Sequence, residues 1–171
     1  TIYVKDKARE GLLKEFDERI YGTKPPLLAL GSDTFEAVRA YKDAFDQAIQ
    51  FDDLPTALGN EYRNRINVMR KGLPSTDWIP PVLAWYRKFK AEKLLNLIEC
   101  IDNKFSADWI LQLTPTQRIS NMNDVLKAID GAKVPADVLD SKVFEFDGKQ
   151  LAVLLDGAIY GRRFAKYVLL R

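Results

Sequence analysis

With no histidine in the chain, carboxylates are the side chains left to do acid–base or metal chemistry. Three aspartate pairs have suggestive spacing: Asp43 with Asp46, Asp52 with Asp53, and Asp137 with Asp140. Such pairs hold magnesium, or serve as acid and base, when they converge in a cleft. Here none adjoins a Gly-rich loop or has a lysine at nuclease-like spacing, so they read as solvated helix surface. No metal site and no cofactor is expected, and a magnesium enzyme dependent on Asp52 is the outside alternative. The missing histidine also removes Ser-His and Cys-His nucleophile pairs and the commonest zinc ligand. Cys100 is the single cysteine, which excludes an intramolecular disulfide and suits a reducing, cytoplasmic setting. Its place in an apolar run makes it a small core residue rather than a nucleophile.

Phosphate-binding chemistry has two sources to weigh. The string "DGKQ", Asp147 to Gln150, could present backbone N–H groups to an anion at a helix start, but the same letters describe an ordinary N-cap. No Walker-type loop or dinucleotide fingerprint occurs elsewhere. Cations cluster in three places: Arg63, Arg65, Arg70 and Lys71; Arg87, Lys88, Lys90 and Lys93, just after Trp85 and Tyr86; and Arg162, Arg163, Lys166 and Arg171. If two clusters shared a face they would track a nucleic-acid backbone, with aromatic side chains available for stacking. The structural alternative is that the aromatics face the core and the cations solvate outer surfaces. The net charge of +2 neither requires nor forbids a local basic face.

The elements that must carry these residues are helical. In "KDKAREGLLKEFDERIYG" Leu12, Leu13, Phe16 and Ile20 share a face, and Pro25, Pro26 and Gly31 interrupt the connection that follows. Asp33, with Glu36 in capping-box position, opens a helix whose stripe is Phe35, Val38, Tyr41, Phe45, Ala48 and Ile49. Leu58, Tyr62, Ile66 and Met69 define the next, ending at Gly72. Ser75, Thr76 or Asp77 caps a helix with Pro80 and Pro81 in its first turn. "AEKLLNLIECIDNKF" is the densest apolar helix and is expected to be the most buried. Thr114, Pro115 and Gln117 open another, through Met122, Val125, Leu126 and Ile129 to Gly131. Over 143–153, Asp147-Gly148 suits either a short hairpin turn or an N-cap for a helix carrying Leu151, Leu154, Leu155 and Ile159; the short preceding arm favours the helix. The expectation is an all-α, irregular bundle of about seven helices in a single domain over 1–171, with no membrane-spanning segment.

Two stretches, "WIPPVLAWYRKF" with "KLLNLIECIDNKFSADWIL", and "FAKYVLLR", together resemble the helical middle region of GmrSD-type restriction proteins. That resemblance covers roughly residues 78–171 and implies a ParB-like nuclease module before the region and, in many members, an HNH module after it. The family's Asp-Gly-Gln-Gln-Arg-type motif is not reproduced by "DGKQL", and HNH chemistry needs histidines, so no residue inherits a catalytic role. The chain is therefore expected to be a fragment of a longer protein. It would be a non-catalytic scaffold of a DNA-targeting defence nuclease, with flanking nuclease modules as partners and Arg63, Arg65, Arg70, Lys71, Arg87, Lys88, Arg162, Arg163 and Lys166 as candidate DNA-backbone contacts. The rival is a helical interaction or oligomerisation domain using "PPLLALG" or the last helix.

Overall fold

The computed structural model describes residues 2–6, 9–52 and 58–171, and is all-helical. Helix α1 spans Leu12–Phe16 and runs into a π-helical turn, Asp17–Tyr21. Then follow α2 Ser32–Ala48, α3 Gly59–Gly72, α4 Ile79–Phe89, α5 Leu94–Ile110 and α6 Pro115–Gly131. The last part holds α7 Pro135–Leu139, a 3-10 turn Lys142–Phe144, α8 Gly148–Leu155 and α9 Ala165–Leu170. Among the described residues there are nine α-helices, in keeping with the expected all-α bundle of about seven, the additional ones being short. Asp53 and Leu54 to Ala57 lie outside the described residues.

The core forms where α3, α4, α5 and α6 meet, with α2 laid on α4 and α9 on α3. Tyr62, Trp78, Trp85, Leu94, Ile98 and Leu126 are among the side chains with essentially no exposure. As expected, α5 is the most buried helix, with eleven buried residues. Its buried lysine is ion-paired: the Lys104 ammonium lies 3.0 Å from Asp108, to whose other oxygen Asn121 Nδ2 donates at 2.8 Å. Burying either charge alone would cost several kcal/mol, roughly, so the pairing is a condition of this core.

Helix starts follow the local chemistry in some places and depart from it in others. Thr114 and Gln117 form the full capping box of α6, and Asp147 caps α8 by accepting from Gln150 N at 2.9 Å. The hairpin alternative at 143–153 is thereby excluded: the segment is a 3-10 turn followed by a capped helix. Asp33 is not a cap, because α2 begins one residue earlier, after Gly31 turns the chain at φ +101° with no side-chain cap. Ser75, Thr76 and Asp77 do not cap α4 either; Ile79 N donates to the Thr76 carbonyl while Ser75 and Asp77 engage other helices. Pro80 and Pro81 occupy the first turn of α4, where absent N–H groups cost nothing.

The apolar stripes are corrected in two places. Leu12 and Leu13, in the first turn of α1, are exposed, while Ile20 further along the same stripe is buried. In α2 the buried residues are Ala37, Ala44 and Ala48, followed by Ile49, whereas Phe35 and Val38 face outward at 76% and 57% exposure. At the last helix, Phe164 just before α9 and Tyr167 within it are buried and Leu169 is exposed.

Candidate nucleic-acid interface

The cations picked out by sequence do not form one surface. Arg65 is an internal brace: its guanidinium reaches Glu99 at 3.1 Å, Glu61 at 3.4 Å and the buried Asp102 at 3.5 Å, joining α3 to α5. Arg87 stacks over the Tyr41 ring at 4.3 Å and donates to the Tyr3 hydroxyl, holding residues 2–6 against α2 and α4. Lys88 donates to the carbonyls of Ile129 and Asp130 at 2.8 and 2.7 Å, closing the C-terminal end of α6. Such a cation satisfies orphan carbonyls and opposes the negative end of the helix dipole. These three are occupied in structure.

Arg63 lies over the Phe51 ring at 5.6 Å and Arg70 donates to the Ile49 carbonyl at 3.4 Å, so both lean toward the end of α2. Lys90 lies near the Tyr86 ring. The remaining candidates, Lys71, Arg162, Arg163 and Lys166, are exposed and have no ion-pair partner among the described residues.

Their placement follows from one close crossing. A Cβ at Gly72 would lie 2.8 Å from the Tyr167 Cα, so α9 packs on the end of α3 only because position 72 has no side chain. Lys71 and Lys166 each sit one residue from that crossing. The Tyr167 hydroxyl donates to Asp102 at 2.6 Å, which ties α9 to α5 as well. Burial, with the Asp102 charge and hydrogen bond adding to it, pushes the Tyr167 phenol above its usual range.

Just before α9, Arg162 and Arg163 line a pocket of about 350 Å³ together with Trp109, Gln112, Arg118 and Phe164. Arg118 was not a sequence candidate. It is almost fully buried, its guanidinium lies 3.8 Å from the centre of the Trp109 ring, and it donates to the Leu113 carbonyl at 2.5 Å. Asp77 stands 3.4 Å from its Nε, and Trp109 in turn donates to Ser75. A signal for it existed: Arg118 falls one turn before Met122 on the stripe that continues to Val125, Leu126 and Ile129. A cation on an apolar stripe has to be held by something, and cation–π stacking with a backbone carbonyl does so here. The pocket therefore has one fixed arginine, two free ones and no acidic lining residue.

The acidic pairs do not converge on comparable sites. Asp46 is paired with Lys42, and Asp137 accepts from the Lys133 and Val134 N–H groups at 2.7 and 3.0 Å, which holds its carboxyl below the usual range. Asp53 lies outside the described residues. Among the described residues no group of three or more potential ligands is placed to hold a metal ion. Burial, and to a lesser degree Glu99, pushes the half-buried Cys100 thiol up, so it is protonated at neutral pH.

The arrangement defines an all-α domain with a basic pocket at one end of the bundle. No family model, curated protein or solved structure matches the chain. No helix among the described residues is long and apolar enough to cross a membrane.

Proposed function

We propose that this chain is a non-catalytic helical domain that binds the phosphate backbone of DNA through the pocket of Arg118, Arg162 and Arg163, with Lys71 and Lys166 extending the surface along the α3–α9 crossing. The observation that carries the reading is that Arg162 and Arg163 have no acidic partner among the described residues, beside a third arginine fixed by the Trp109 ring, the Leu113 carbonyl and Asp77. Arg118, already held, loses little freedom on meeting a phosphate while Arg162 and Arg163 are free to turn toward it, and backbone contacts of this kind position a protein without reading sequence. The wider role, a cytoplasmic scaffold between nuclease modules of a GmrSD-like restriction protein, is supported by the resemblance over residues 78–171 and by the single free cysteine.

A gel shift with duplex DNA at stepped salt concentrations tests the binding. Four to five phosphate contacts predict a slope of log affinity against log salt of roughly −4. Reversing Arg162 and Arg163 to Glu should abolish the shift, and reversing the internally braced Lys88 should not. No binding at low salt, or binding indifferent to the Arg162 and Arg163 reversal, sinks the proposal. A coding sequence for an HNH module directly downstream would bear on the wider role.

A further inference from the structure

The segment before and within α2 carries a different surface. Leu12, Leu13, Leu27, Leu30, Phe35 and Val38 are between 43% and 81% exposed, and all fall within residues 12–38. They are not scattered. A groove of about 360 Å³ between α2 and the α1 segment is lined by Phe16, Ile20, Leu28, Val38, Tyr41 and Pro80 among others. Val38 lines the groove itself, and in sequence each of the other five lies within about a helical turn of a lining residue. Phe35 stands one turn before Val38, as a projecting ring beside the groove. At on the order of 100 Å² per side chain the six come to roughly 600 Å², and polar neighbours bring the surface near the ~800 Å² per partner of a standard interface. Monomers rarely leave that much contiguous apolar surface open.

Charge order on α2 identifies what covers it. Along this helix Glu36 precedes Arg39 by one turn and both are exposed, whereas the charges further on are balanced, Lys42 being paired with Asp46 beside the exposed Asp43. Glu36 and Arg39 have no ion-pair partner among the described residues. Two copies of α2 laid antiparallel set Glu36 of each against Arg39 of the other. Parallel copies would oppose like charges. A surface that complements itself under a two-fold rotation is what an isologous dimer requires, with residue i meeting j and j meeting i. The geometry points to this face as the interface of a homodimer, with antiparallel α2 helices and Phe35 of each copy entering the groove of the other.

The inference rests on residues other than those of the arginine pocket and is tested by oligomeric state. Sedimentation velocity from micromolar to sub-millimolar concentration should show a dimer. Phe35→Asp should weaken it at least tenfold, as should Glu36→Arg or Arg39→Glu to a smaller degree, and the double variant E36R/R39E should recover much of the loss. Because all three side chains are exposed, melting by circular dichroism at dilutions where the wild type is monomeric should stay near wild type for every variant, which separates lost association from lost folding. A monomer throughout the range overturns the inference. So does a dimer that Phe35→Asp leaves intact, or a double reversal no better than either single one.

Discussion

Helices α2 and α5 are each seventeen residues long, and both carry apolar residues at helical spacing. Their fates differ. In α5 the large side chains Leu94, Leu97, Ile98, Ile101 and Phe105 face inward, and even its charged residues Asp102, Lys104 and Asp108 are buried with partners. In α2 the inward positions are alanines, and the large Phe35 and Val38 point out. Small inward residues let α2 lie close against α4. The difference teaches that apolar periodicity marks a face able to be buried, while the side-chain sizes on opposite faces show which one the fold uses and which it leaves for another surface.

Variants can break that comparison. The largest effect should come from the centre of the bundle. Trp85→Ala removes a ring with no exposure, packed on Phe89 at 4.9 Å and bonded to the Glu92 carbonyl, and should cost about 3–5 kcal/mol in urea denaturation. Alkaline pH should act on the same region. Burial raises the pKa of Tyr62, whose hydroxyl donates to the Ala48 carbonyl at 2.8 Å, and of Tyr167. For groups whose pKa is raised on folding, the stabilisation is complete below the unfolded value of about 10 and is lost as pH climbs toward the folded values. Denaturation midpoints should fall above about pH 10, and less steeply in a Tyr167→Phe variant.

Intermediate in size is Gly72→Ala, whose new methyl meets the Tyr167 backbone and should cost about 1–3 kcal/mol by thermal melting. The smallest belongs to the outer surface. Leu13→Ser should change monomer stability by less than about 0.5 kcal/mol when measured at high dilution, although the same exchange at Leu97 would be severe. A large loss at Leu13 would mean that the α1 surface is folded against something after all.

What the sequence made legible follows the range of each interaction. Thr114 with Gln117 and Asp147 with Gln150 are three residues apart, so their capping could be read from the letters alone, as could the density of apolar residues in α5. Arg65 with Glu99 and Asp102, Arg87 with Tyr3, and Lys88 with Ile129 could not, since those partners are brought together only by the packing of separate helices. That is why the candidate interface shrank from nine cations in three clusters to a smaller set at the α9 end, and why Arg118 entered it. The Asp33 cap failed for a local reason: a glycine with positive φ one residue before the helix supplied the turn instead.

The crossing of Gly72 and Tyr167 also bears on motion. A six-residue helix such as α9 would ordinarily fray, opening and closing many times for each global unfolding event. With Tyr167 seated against the α3 backbone and bonded to Asp102 of α5, α9 can detach only by breaking a buried contact in the main bundle. Its amide hydrogens should therefore exchange with solvent on the slow schedule of α3 and α5, well apart from the exposed α8, and Arg162 and Arg163 inherit a rigid platform rather than a loose end.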